Sequence, residues 1–426
     1  MLVVFSDIIS KRLSYVLGII FEDRNVPYEI INDPDVFRFS EGIKLVYSDY
    51  PFEESFPTIS PSTLLFEEDI RQHYLSRKEW GREEVISFDG IPDPLASIFY
   101  LLSCYDDYLS EDSDQHDRYP VKSSLVYNYG WLDKLMVERW CEEVLLFIEA
   151  ENKTKIETNK IPFKVIPTFD IDNAFAYRLK EGFRKWMSVS KDLLRFDKKR
   201  IRERRRVLKE GVRDPYDTYD IIEGIIEKGY EVKIFWLLGD FGTYDRNVSY
   251  ENDELRELIK SFSKLCSVGL HPSYQSNDSR SVLLEEKSRI EEIIGDEVTL
   301  SRQHFLKLNI PYTYEQLISV GSLNDYTLGF AELPGFRAGI ARSFLWYNLK
   351  KEIITELNIH PFSYMDGTLN EYMELSTESA KSKIDDLKNE VRKYGGDFIM
   401  IWHNETIGDY GKWEGWKSVL DHSLKA

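Results

Sequence analysis

Asp170 and Asp172 stand two positions apart at the end of the apolar run Phe163-Lys-Val-Ile-Pro-Thr-Phe169. His271 follows Ser267-Val-Gly-Leu270, Arg302 and His304 follow Val298-Thr-Leu300, and His403 follows Asp397-Phe-Ile-Met-Ile-Trp402. Imidazole nitrogens and carboxylate oxygens are the donors that zinc, nickel, cobalt and manganese take. Asp172 and His271 make a partial ligand set, and His304 can complete a His-His-Asp face. A metal with an open position acidifies a bound water and polarises a carbonyl. Asp170 is placed to take that water's proton as general base, and His403 to give one to the leaving group. Arg302 or Arg337 can hold a carboxylate or an oxyanion by charge-assisted hydrogen bonds. Plainer roles stand beside these. The two aspartates can cap a turn, Asp366 before Gly367 is a turn signal, and Gly335-Phe-Arg-Ala-Gly339 can be a turn. His360 beside Pro361 reads as structural, and the isolated His73 and His116 read as surface or structural histidines.

Such side chains need strand ends to aim them. From Ile161 onward, apolar runs alternate with helical patterns, which predicts βα units around a mostly parallel sheet or barrel. About seven strand candidates run from Phe163–Phe169 to Asp397–Trp402, with others at Glu231–Leu238, Tyr326–Phe330 and Ile353–Tyr364. In parallel α/β folds the functional groups lie at the C-terminal strand ends. A strand alternates its side chains with period two, so Asp170 and Asp172 share a face and Ile171 turns into packing. Residues 1–155 read as a separate, smaller α/β domain with a strand at Val3-Val-Phe5 and no catalytic spacing. The polar run Glu151–Lys160 is the linker, and 161–426 the second domain.

The 55 Lys and Arg against 74 Asp and Glu give a net charge of −19. That field repels phosphate backbones and anionic lipid, so nucleic acid and membrane are not expected partners. The basic run within Lys191–Arg213 reads as a solvated helix face. Cys104, Cys141 and Cys266 form no C-x-x-C pair, and three cannot all pair within the chain, so free thiols are expected. Asp7 interrupts the first apolar run, no window approaches a membrane span, and a cytoplasmic location is the default expectation. No oligomeric state is implied.

The residues from 161 to 426 resemble the polysaccharide deacetylase family, metal-dependent carbohydrate esterases of the chitooligosaccharide-deacetylase homology type. The likeness rests on Thr168-Phe-Asp-Ile-Asp172, His271-Pro-Ser-Tyr-Gln275, Ser301-Arg-Gln-His-Phe305 and Ile401-Trp-His403. Leu101–Leu109 and Asp214–Asp220 resemble a bacterial group of such proteins with an N-terminal domain of unknown role. The resemblance implies a distorted (β/α) barrel of about seven strands. It implies N- or O-deacetylation of a sugar, with zinc first among the candidate metals. It assigns Asp170 as base, Asp172 and His271 as ligands, Arg302 as partner of the catalytic Asp, and His403 as acid. Two departures stand out. Ile171 is inserted between the two aspartates, and Gln275 replaces the family's second histidine. His304, Gln275 and Ser273 are the candidates for the vacated ligand position. The lost histidine, with Trp402, Trp413 and Trp416, also leaves open a barrel that only binds carbohydrate.

Overall fold

The computed structural model describes residues 1–179 and 198–425. The chain is mixed α/β, with three sheets among the described residues. β1 (Leu2–Phe5) lies between β2 (Tyr28–Ile31) and β3 (Ile43–Val46), both parallel to it. Its four residues are all buried, which is why the run is apolar throughout rather than alternating. The helix Lys11–Phe21 crosses from β1 to β2, and Ser10 caps it by accepting from the Leu13 N–H. An antiparallel meander follows: β4 (Leu75–Trp80), β5 (Glu83–Phe88) and β6 (Ile91–Pro92). Sequence reasoning missed it, although Gly81, at φ +62°, sits in its two-residue turn.

The third sheet has nine strands. In chain order they are β7 (Phe163–Ile171), β8 (Lys233–Trp236), β9 (Ser267–Leu270), β10 (Leu300–Ser301), β11 (Asn324–Asp325), β12 (Phe344–Asn348), β13 (Ile353–Ile359), β14 (Tyr364–Met365) and β15 (Gly396–His403). The spatial order is β12-β13-β11-β10-β9-β8-β7-β15-β14, parallel except for the β12–β13 pair. Three expectations are corrected here. The fifth strand is Asn324–Asp325, not Tyr326–Phe330, because the Asp325 carboxylate accepts from the Thr327 N–H at 2.9 Å and turns the chain. Ile353–Tyr364 is two strands, since Pro361 has no N–H for a ladder. β12 was not expected at all.

Strand alternation sorts this sheet into two faces. Ile166, Phe235, Ile399 and Ile401 meet in one apolar cluster, which Leu300 and Met365 border. Phe169, Ile171, Ile234, Trp236, Phe398, Met400 and Trp402 belong to the main core under the helices. Side chains of β7, β8, β10, β14 and β15 therefore converge on one side of the sheet. Gly269 permits this, because a Cβ there would lie 2.6 Å from the Phe235 ring. No ladder joins the two edge strands, β12 and β14. Just ahead of β14, Phe362 donates to the Leu328 carbonyl at 3.1 Å, in the segment after β11, and Ser363 donates to the Ile399 carbonyl of β15 at 2.8 Å.

Helical spacing between the strands corresponds to helices such as Asp253–Ser263 with Asn252 as N-cap and Thr377–Tyr394 with Ser376 as N-cap, whereas Pro92–Leu109, expected as one helix, is two, Pro94–Leu102 and Tyr105–Leu109, broken at the left-handed Cys104. The basic run is the helix Lys198–Glu210, with its stretch before 198 outside the described residues. It is not solvated all round: Arg204 and Val207 are buried, and the Arg204 guanidinium lies 5.0 Å from the Tyr177 ring centre. Among the described residues no helix is long and apolar enough to cross a membrane.

The two halves share one core. Tyr15 donates to the Leu345 carbonyl, and its ring packs 5.3 Å from that of Tyr347. Glu138, 1% exposed, takes Arg24 at 2.5 Å and Arg342 at 2.7 Å. Gly335, at φ +147°, passes so close to the N-terminal half that a Cβ would lie 2.3 Å from the Leu132 carbonyl oxygen. Phe336 donates to that carbonyl, and the Gly339 carbonyl accepts from Val137.

Candidate functional site

This face carries polar groups at the ends of β7 and β15 and just past β9 and β10. Asp170 ends the inward series Ile166, Thr168, Asp170 on β7, and His403 ends the series Ile399, Ile401, His403 on β15. The ladder pairs these two residues directly. His271 follows β9, and Arg302 follows β10. Asp172 lies one residue past β7, beyond the buried Ile171. Asp170, Asp172, His271 and His403 line a cleft of about 1410 Å³, whose walls include Tyr216, Phe305, Tyr372 and Trp413, with Arg302 buried behind Asp170.

Asp172, His271 and His304 converge, with one ligating atom of each within 4.8 Å of the others. His271 Nε2 lies 3.2 Å from Asp172 Oδ1, and His304 Nε2 lies 3.5 Å from Asp172 Oδ2. Each imidazole is turned by its other nitrogen. His271 Nδ1 donates to the Arg302 carbonyl at 2.6 Å, and His304 Nδ1 meets Asp245 Oδ1 at 2.9 Å. The Nε2 lone pairs are thereby left for the centre of the cluster. Asp172 Oδ1 is buried and takes no hydrogen bond. A carboxylate oxygen facing a bare imidazole nitrogen at 3.2 Å is repulsive unless a cation or proton lies between them. Three borderline N and O donors of this kind, with an open side, suit a divalent transition metal. In the bare protein, protons do that work. Burial alone would lower the His304 pKa, but Asp172 and Asp245 overcome it and raise it to about 9. Burial alone would raise Asp172, but His304, His271 and His403 hold it well below the usual carboxylate range.

Arg302 is fully buried, with its guanidinium 4.4 Å from the Phe235 ring centre. It donates to Asp170 Oδ1 at 2.8 Å, to Thr168 Oγ1 at 2.7 Å and to the Tyr326 carbonyl at 3.0 Å. Asp170 Oδ2 stays on the cluster side, 4.0 Å from His271 Nε2. His403 Nδ1 meets Asp366 at 2.9 Å, and its Nε2 is 3.9 Å from Asp172 Oδ2. Burial opposes a charged His403, yet Asp366 and then Asp172 hold its pKa well above the ordinary value.

Six of the residues singled out from the sequence thus meet in one place: Asp170, Asp172, His271, Arg302, His304 and His403. Arg337 does not join them. It lies against the N-terminal half, ion-paired with Asp107 and donating to the Gly329 carbonyl at 3.1 Å. The glycines around it serve the close approach of the two halves rather than a cleft. Gln275 is exposed beside Gly242, and Ser273 is occupied within its own turn. Sequence reasoning missed Asp245 and read Asp366 as a turn. Asp366 is fully buried and stands at the end of β14, so its strand-end position was the usable signal. Asp245 had none: Asp240 is the first carboxylate after β8, but it faces outward to Arg289.

A family model described as a family of unknown function, DUF7033, matches residues 1–153. No curated protein matches the chain. Among solved structures, the chain is similar to the crystal structure of a candidate polysaccharide deacetylase from Mycobacterium smegmatis, at 15% identity and TM-score 0.40, over 62% of this chain and 85% of that one. It is also similar to the Xyl-CE4 domain of a multidomain xylanase from the hindgut metagenome of Trinervitermes trinervoides, at 11% identity and TM-score 0.27, over 62% and 82%.

Proposed function

We propose that this chain is a metal-dependent hydrolase that removes acyl groups, acetyl foremost, from a sugar or glycan precursor. In this reading residues 161–426 are a distorted (β/α) barrel and residues 1–155 a second unit. The observation that carries it is the convergence of Asp172, His271 and His304 between two further pairs, Asp170–Arg302 and His403–Asp366. A divalent metal held by the first three residues, zinc first among the candidates, would supply an acidified water and a polarised acyl carbonyl.

The remaining steps belong to the chain's own groups. Arg302 occupies Asp170 Oδ1, so Asp170 takes the attacking water's proton at Oδ2. The buried guanidinium fixes that carboxylate in place. Asp366 fixes the His403 ring through Nδ1, so Nε2 is the atom that gives a proton to the departing nitrogen or oxygen. The direction of the His403 shift suits an acid that must still carry its proton at neutral pH. Tyr216, Tyr372 and Trp413 give the cleft aromatic walls on which sugar C–H faces can pack. The alternative of a barrel that only binds carbohydrate drew on the lost second histidine. In the present reading His304, from the loop after β10, is the third donor, which favours the hydrolase.

The test joins metal content and turnover. Protein dialysed against zinc, nickel, cobalt or manganese is analysed for bound metal and assayed for acetate release from N- and O-acetylated sugars. The expected result is about one divalent ion per chain, released acetate, and loss of both in a folded His271→Ala variant. Full metal occupancy in that variant overturns the ligand assignment. A wild type that binds metal but releases no acyl group overturns the hydrolase.

A further inference from the structure

His304 is offered to the cleft by an unusual piece of backbone. The two residues after it, Phe305 and Leu306, both adopt left-handed conformations, at φ +61° and +53°. Neither is glycine, asparagine or aspartate, and bulky side chains rarely stay there unless neighbours hold them. Tyr244 and Tyr274 of the same half pack on the Phe305 ring, at 5.3 and 5.6 Å between centres, and further neighbours come from the N-terminal half. Arg118, 8% exposed, donates through Nη1 to the Phe305 carbonyl at 2.8 Å. The His116 ring packs on the Phe305 ring, 4.8 Å between centres. Asp114 locks the loop that carries both, accepting from the His116 N–H at 2.8 Å, the Arg118 N–H at 3.1 Å and Arg118 Nε at 2.7 Å.

We propose that the N-terminal half completes the metal centre, with Arg118 a positioning residue that holds the Phe305 turn and thereby aims His304 at Asp172. The inference rests on the metal-site reading above and goes beyond it, because it gives residues 1–153 a task. The logic is geometric. A ligand drawn from a β-strand end is aimed by its ladder, as His271 is by β9. His304 leaves β10 three residues after its last strand residue, Ser301, where no ladder aims it; its N–H is anchored to the Pro272 carbonyl at 3.1 Å, and the turn after it is held from the N-terminal half. Asp245 sets the rotation of its ring, and the Phe305 turn sets where the ring stands. Loss of a contact that supports a ligand changes metal affinity by about 10- to 100-fold.

The experiment uses the full-length chain and Co²⁺. Its affinity is measured by competition with a chromophoric chelator, and its visible absorption band reports the ligand set. Arg118→Ala is expected to keep the wild-type circular dichroism, bind Co²⁺ about 10- to 100-fold more weakly, and shift the band toward that of His304→Ala. Asp114→Ala keeps the Arg118 guanidinium but removes the carboxylate that holds it and its loop, and is expected to move both readouts in the same direction. It decides the matter should Arg118→Ala fail to fold. Arg139→Ala cuts the pair between the halves at Glu390, which does not line the cleft, and is expected to change neither. Wild-type affinity and band in folded Arg118→Ala overturn this inference alone. A wild type that takes up no Co²⁺ overturns the metal reading, and the inference with it.

Discussion

Asp170 and Asp172 are two residues apart and are held differently. Asp170 is gripped by Arg302, whereas Asp172 has a buried oxygen that no protein donor fills. Their amide variants should therefore fail differently. Asp170→Asn is expected to retain metal and lose about 10²- to 10⁴-fold in turnover, because an amide cannot take a proton at neutral pH. Asp172→Asn is expected to lose metal affinity first and to recover part of its activity in excess metal. Metal titration beside an acetate-release assay separates the two. The reverse pattern would mean that the inserted Ile171 has exchanged the two roles.

The loop after β9 shows how one element steadies another. The helix Arg280–Ile294 sends Glu286, fully buried, to accept from the Ser273 N–H at 2.9 Å, just past His271. Burial pushes this carboxyl up to about 7, and its second oxygen has no partner. In the unfolded chain a glutamate ionises near 4.3. Between that value and 7 the folded state holds a proton that the unfolded state has released, so stability falls as pH rises through this window. The difference corresponds to about 3 kcal/mol of lost stability by pH 7.5. Glu286→Gln keeps an acceptor for Ser273 and cannot ionise. It is expected to show a smaller fall in urea unfolding free energy between pH 5 and 7.5 than the wild type. Equal falls would show that Glu286 is not the titrating group.

At the scale of the whole molecule, the two halves behave as one packed body. Their apolar residues form a single cluster, and Glu138 neutralises one guanidinium from within its own half, Arg24, and one from the other, Arg342. Glu138→Gln leaves Arg24 with only the Ile19 and Ile20 carbonyls and Arg342 with Asp23 as its remaining carboxylate. The expected cost is about 3–5 kcal/mol in urea unfolding. A change under 1 kcal/mol would show that solvent already screens the pair. A chain cut to residues 161–426 would bare the surface that Tyr15, Leu132 and Val137 now cover. It is expected to bind a hydrophobic dye and aggregate where the full chain does not. A monomeric, dye-silent fragment would show that the second half is complete alone.

Alternation along β7 and β15, with polar groups at their ends, made Asp170, Asp172 and His403 legible, because period two puts the side chain at a strand end on a known face. The resemblance of the strand-end motifs named Arg302 and His271 as well. Helices were legible from their apolar spacing and caps, which are local properties. β11, only two residues long, and the late β12 were not, since their pairing depends on which strands the fold brings alongside. Arg337 looked like Arg302 in the sequence. It parted from it only when the Gly335 backbone met Leu132 of the other half. Asp245, Asp366 and Arg118 act through contacts 59, 37 and 187 residues away along the chain. No local pattern encodes such distances: the packing of the second half brings Asp245 and Asp366 to their imidazoles, and the packing of the two halves brings Arg118 to the turn it holds.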